Sequence, residues 1–288
     1  IKMQEILEVL QDTAIDTIKL LPFLFITYLI MEYIEHKTSN KVKDVIKKSG
    51  KFGPLLGAIV GIFPQCGFSV SATNLYAGRV ITLGTLISVY LATSDEMLPI
   101  LLTEAVPAGT IFTILGIKLV LGIVAGFIID FVVRMFRKEK VEEQEEKIEE
   151  ICEHEHCHCE EGIVTSAIKH TLNITIFIFF ITLVLNGIIA YIGEDTIAHF
   201  ISKNVILGPI VAGLIGLIPN CASSVILTEL FINNVISMPV LISGVAVNAG
   251  VGLLVLFKTN KNVKENIKIV GILYLIGVLA GIILELFL

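Results

Sequence analysis

Residues 54–130 of this 288-residue chain recur at 209–285, at a fixed offset of 155 and without a gap. Pro54 falls on Pro209, Gly61 on Gly216, Pro64 on Pro219 and Cys66 on Cys221. Ser69, Thr73 and Ser88 fall on Ser224, Thr228 and Ser243, and Asp130 falls on Glu285. Gly116, Gly122 and Gly126 fall on Gly271, Gly277 and Gly281. Leu and Ile match by chance in any apolar sequence. Matched Pro, Cys and Gly at one offset mark an internal duplication, which restricts the fold to two copies of one unit.

The unit is built for a bilayer. Only 17% of residues are charged and 55% are hydrophobic, against ~25% charged in an average soluble domain. The apolar residues gather at 14–34, 54–78, 80–102, 108–133, 167–192, 205–232, 235–257 and 267–288. Each block is near the ~20 residues that a spanning helix needs. These blocks predict an all-α integral membrane protein, multi-pass in the cell membrane, with lipid as its surroundings and no nucleic-acid partner. No cleavable signal pattern stands out in the polar, acidic opening stretch.

Basic residues set the expected orientation. Lys37, Lys41, Lys43, Lys47, Lys48 and Lys51 crowd one loop, and Arg134, Arg137, Lys138, Lys140 and Lys147 another. Lys258, Lys261, Lys264 and Lys268 lie between the last two blocks. These loops are expected in the cytosol, with both termini outside. Matched loops carry opposite bias: 103–109 has no basic residue, whereas its counterpart 258–264 is basic. The two copies are therefore expected to be inverted, which requires an odd number of crossings in each.

The motifs IFPQCGFSV (62–70) and LIPNCASSV (217–225) supply that odd number. If each Pro-amide-Cys is the tip of a re-entrant hairpin, every copy becomes span, hairpin, span, span. The sequence thus predicts two inverted five-helix repeats, with ten transmembrane segments counting hairpin halves. The first repeat occupies 1–136, a linker 137–162 and the second repeat 163–288. Non-helical backbone at membrane depth survives only beside protein or a water-filled cavity. Inverted-repeat transporters keep their substrate site at such breaks.

Further polar groups interrupt the apolar blocks. Thr93-Ser94-Asp95-Glu96 sits inside 80–102, where a carboxylate costs ~2.5–3.5 kcal/mol on the insertion scale. A loop boundary would explain it, but the flanking stretches are each too short to span, which favours a broken helix. The matched stretch is Val247-Asn248-Ala249-Gly250. Gln65, Cys66, Ser94, Asp95, Glu96, Asn220, Cys221 and Asn248 are the candidate metal ligands of a central site. A lone Cys in an apolar helix is ordinarily a small core residue. Two matched Cys at helix breaks, opposite carboxylates, make a mixed sulfur and oxygen set suited to borderline or soft divalent ions. Asp16, Asp95, Glu96 and His170 are the candidate proton carriers. Lys19 and Lys169 are expected to snorkel, Asn74 and Glu229 to lie at an interface, and Lys118 to neutralise a carboxylate.

The linker contains CEHEHCHC, with Cys152, His154, His156, Cys157, His158 and Cys159. An acidic tether with incidental histidines is the plainer reading, but the composition is that of a metal-binding tract. Its spacing is too tight for a folded zinc finger, which leaves a metal-collecting segment.

The repeated Pro-x-Cys motifs in ten apolar segments, with a His/Cys-rich central loop, resemble the ten-transmembrane heavy-metal exporters. That family is related by name to arsenic permeases, and some members are labelled manganese transporters. The resemblance covers nearly the whole chain and implies metal or metalloid efflux. Combined with the residues, it leads to a secondary exporter of a Zn, Cd or Mn class ion by proton antiport, with the metal as cargo and no resident cofactor. A homodimer is compatible with this organisation. Competing readings are an arsenical or organic-anion permease, a channel, and an intramembrane enzyme pairing Cys66 with His170. No Walker-type phosphate loop is present, so the chain shows no ATP site of that kind.

Overall fold

The computed structural model describes most residues between 10 and 29, then 52–136 except Gln65, 163–192 and 206–287; the Cys66 side chain is outside this set. All regular structure among them is helical. The helices are α1 (within 10–29), α2 (Gly53–Gly61), α3 (Cys66–Ala77), α4 (Leu83–Ala92), α5 (Met97–Thr103), α6 (Ala108–Phe136) and α7 (Ile163–Ile192). There follow α8 (Leu207–Gly216), α9 (Cys221–Ile232), α10 (Met238–Val247), α11 (Gly252–Thr259) and α12 (Val263–Phe287).

The 155-residue offset carries through to structure. The starts of α3, α4, α5 and α6 correspond to those of α9, α10, α11 and α12. So do the interactions. Thr82 caps α4 by accepting from the Thr85 N–H, and Ser237 caps α10 by accepting from Val240. Each cap also donates to the matched acid, Asp130 or Glu285, at 2.7 Å. Ser88 Oγ donates to the Pro54 carbonyl and Ser243 Oγ to that of Pro209, at 2.5 and 2.7 Å. Local sequence dictates these elements: a hydroxyl satisfies an orphan N–H at the helix start, and proline at 64 and 219 ends the helix before it.

Among the described residues, five stretches are long and apolar enough to cross a membrane. Two of them, Leu83–Thr103 and Met238–Thr259, contain the breaks at 93–96 and 248–251, and are 72% and 89% buried. The other three are 22–33% buried, and their uncovered faces carry residues such as Phe112, Phe131, Phe180 and Leu279. Those faces suit lipid. The broken spans form the centre, with α2, α3 and α6 packed on α4, and α8, α9 and α12 on α10. Glycine permits the closest approach there: a Cβ on Gly216 would stand 2.1 Å from the Gly244 carbonyl oxygen.

The halves interlock. Helix α3 of the first packs on α11 of the second, and α9 of the second on α5 of the first. Thr73 of α3 and Tyr90 of α4 hydrogen-bond each other, and both reach the Gly252 carbonyl, at 3.2 and 3.3 Å. Helices α1 and α7 occupy matched places yet run antiparallel. Thr13 meets Asn186 near one end, while Tyr28 stacks on His170 near the other.

Candidate central site

The site grows from the interruption of α4. The Thr93 hydroxyl donates back to the Val89 carbonyl at 2.7 Å, and Ser94 Oγ donates to the Ala92 carbonyl at 3.2 Å. Asp95 then adopts a left-handed φ of 22°, a conformation that short polar side chains tolerate better than most. Helix resumes at Met97. The break therefore buries its own polar groups: Thr93, Ser94 and Asp95 are all 2–3% exposed.

Asp95 faces its own counterpart. A Cβ on Gly250 would lie 2.5 Å from Asp95 Oδ2, so only glycine fits there, and its φ of 53° favours glycine as well. Asn248 shapes that turn by accepting the Gly250 N–H at 2.7 Å. Its amide donates to Ser223 Oγ at 3.0 Å, and Ser223 Oγ donates to the Asn220 carbonyl at 2.8 Å. Asn220, the N-cap of α9, donates through its amide to Asn186, which donates to Thr13 Oγ1 at 2.9 Å. A chain of polar contacts thus runs from the central turn through the start of α9 to α7 and α1.

Lys118 of α6 enters the same region. Its side chain is fully buried, and Nζ donates to the Val245 carbonyl at 2.6 Å, three residues before Asn248. The Asp95 carboxylate acts on it electrostatically.

The other expected residues divide. Glu96 turns away from Asp95, remains partly exposed and meets Lys19 at 3.8 Å. Adjacent residues at a break project differently, so the two carboxylates face separate surroundings. Cys221 is buried in a cluster with Val70, Val251, Leu20 and Leu24. Val70 lies one turn beyond Cys66, which brings the α3 and α9 starts into one neighbourhood. His170 stacks on Tyr28 at 5.4 Å, separated from Asn186 by ~24 Å of helical rise. Asn74 is 1% exposed, and its amide finds no hydrogen-bond partner among the described residues. Gln65, the Cys66 thiol, Asp16 and the tract 152–159 lie outside the described residues. Among those described, no three His, Cys, Asp or Glu side chains gather as a metal site. A cation here would take Asp95 together with neutral oxygens of Ser94, Asn220, Asn248 or the backbone.

Sequence reading did not identify Gly250, Ser223, Asn186 or Thr13 as parts of the site. Gly250 had a signal: it stands at the 155-residue offset from Asp95. Asn186 is a lone amide in an apolar run, and nothing local marks its partner.

No curated protein and no solved structure matches the chain. Residues 3–191 match a family described as "Putative, 10TM heavy-metal exporter". That match spans well over half of the 288 residues and includes α1, the Pro64-Gln65-Cys66 motif, the Asp95 break, Lys118 and the His/Cys tract. The chain belongs to the ten-transmembrane heavy-metal exporter family of that description.

Proposed function

We propose that the protein is a secondary exporter of a divalent heavy or transition metal ion, of the Zn, Cd or Mn class, driven by proton antiport. It works from two inverted repeats whose hairpin tips and helix breaks share one central site. The observation that carries this reading is the buried Asp95 at a helix break, seated against its own repeat counterpart Gly250. An ionisable group inside a membrane protein is costly and is retained for function. The antiparallel run of matched helices α1 and α7 supports inversion.

Moving a divalent ion outward against a negative interior costs ~4.6 kcal/mol per 100 mV for its two charges. Exchange for two protons cancels that electrical cost. Asp95 binds the ion and neutral oxygens around the break replace part of its hydration. Cys66 and Cys221 favour soft ions. Glu96, His170 and Asp16 serve as further proton-carrying groups. The His/Cys tract collects metal on the cytosolic side.

The test is flux into inverted vesicles, with and without a pH gradient, across Mn²⁺, Zn²⁺, Cd²⁺ and arsenite. Gradient-dependent uptake of one or more divalent ions, abolished by Asp95→Asn, is expected. Uptake of arsenite alone would assign the fold to a metalloid permease.

A further inference from the structure

The two repeats differ at one central position. Lys118 falls at the 155-residue offset from Leu273, and both side chains are fully buried. One copy thus keeps a hydrocarbon where the other carries an amine across the full width of its packing. Leucine is what the shared architecture accommodates at this place. The lysine is an addition, and one with a desolvation cost that only a nearby negative group offsets.

Its surroundings supply that group. Nζ donates to the Val245 carbonyl at 2.6 Å, and Val245 precedes the turn whose Gly250 touches Asp95 Oδ2. Asp95 lies within electrostatic reach of the ammonium. The other buried carboxylate on α6, Asp130, is engaged elsewhere, accepting from Thr82 Oγ1 and the Gly84 N–H. A tethered cation, held on the Val245 carbonyl, therefore lies within electrostatic reach of the carboxylate that the metal would use.

We propose that Lys118 is the resident cation of the central site: its ammonium balances Asp95 when no metal is bound, and an incoming ion must displace it. This rests on the central-site reading above. The consequence is a binding threshold. Displacing one tethered ammonium imposes the same free-energy penalty on every cation, so it leaves the ratio of any two affinities unchanged. It raises all dissociation constants together. Weakly bound, abundant ions such as Mg²⁺ are pushed out of their working range, while ions that bind tightly still occupy the site. In a cytosol rich in Mg²⁺ the site then stands empty of metal more often, while the choice between competing ions stays with the ligands themselves. Displaced, the ammonium keeps the Val245 carbonyl as its partner.

The experiment compares the full-length protein with Lys118→Leu, Lys118→Arg, Asp95→Asn and the Lys118→Leu/Asp95→Asn double variant, titrated with Cd²⁺, Mn²⁺ and Mg²⁺ in nanodiscs. Lys118→Leu copies the matched residue. It should tighten binding of all three ions by at least tenfold and by similar factors. Lys118→Arg should stay close to the parent. The gain should vanish in the Asp95→Asn background, a coupling that separates the central site from metal held by the His/Cys tract. Unchanged or weaker binding in Lys118→Leu, with Asp95→Asn still abolishing central binding, would overturn the resident-cation proposal and leave the exporter reading standing. Binding and flux indifferent to Asp95→Asn would overturn the central site itself. If the leucine variant does not fold, the parent protein with ¹³C-labelled lysine Cε provides the check. The Lys118 resonance, assigned with Lys118→Arg, should shift on saturation with Cd²⁺, and an unmoved resonance would overturn the proposal.

Discussion

At the scale of single residues, the central turn depends on the absence of a side chain at Gly250. Gly250 has a left-handed φ of 53°, and any Cβ there would meet Asp95 Oδ2 at 2.5 Å. Gly250→Ala therefore forces the carboxylate to move, besides a backbone cost of ~1–2 kcal/mol. Flux should fall at least tenfold, whereas Gly109→Ala, with nothing within 4 Å of its Cβ, should leave flux near the parent level. Equal activity in the two variants would show that Asp95 is not held where transport needs it. Asp95 and Cys221 also report the ion. Asp95→Asn should cost more flux than Cys221→Ser for a hard ion such as Mn²⁺, and less for Cd²⁺, because carboxylate and thiolate rank these ions oppositely.

Among elements, the broken spans meet their closest neighbours at glycine. Helix α8 approaches α10 so closely at Gly216 that an added methyl would stand 2.1 Å from the Gly244 carbonyl oxygen. Backbone on backbone leaves no flexible group to give way. Gly216→Ala should destabilise the protein by ~1–3 kcal/mol, read as a lower thermal midpoint in detergent. The same substitution at Gly271, which has open space around it, should move the midpoint little. These glycines were visible in sequence as matched positions. Their partners were not, because periodicity marks which face of a helix is small and never which neighbour covers it.

Across the whole molecule, the interlocking of the halves is fastened unequally at matched places. Arg79 leaves the α3–α4 turn with φ 58° and clasps Glu265 of α12 bidentately, at 2.9 and 3.0 Å, while the Tyr76 hydroxyl donates to the same carboxylate. Hydrogen bonding to Glu265 holds the Arg79 guanidinium above its usual pKa, so the arginine stays charged. The residues matched to Arg79 and Glu265 by the offset are Asn234 and Thr110, which cannot form an ion pair. Glu265→Gln should lower stability by ~1 kcal/mol, the scale of a half-buried bidentate pair, and an Arg79→Glu/Glu265→Arg exchange should recover part of it. No recovery would mean that the pair matters for its packing and not its charge. A separate prediction concerns the linker: deleting 152–159 should weaken metal capture while flux persists, since the tract stands outside the duplicated core. Total loss of flux in a folded deletion variant would place the essential ligands in the tract.

The sequence by itself determined what local chemistry and composition decide. Long apolar blocks dictate helices that suit a bilayer, because backbone polar groups must be satisfied internally there. The 155-residue offset revealed two copies of one unit, and Pro64, Pro219 and the Thr-Ser-Asp-Glu run located the interruptions, because proline and clustered polar groups act on their own segment of chain. Only the tertiary structure decided how those interruptions meet. It turned Asp95 inward and Glu96 toward Lys19, set Gly250 against Asp95, brought Lys118 to the Val245 carbonyl and linked Asn248 through the α9 start to Thr13. The physical reason is range. Helix starts, breaks and caps depend on residues within a turn or two, but the partner of a buried charge is chosen by packing between segments more than a hundred residues apart, and no local pattern records that choice.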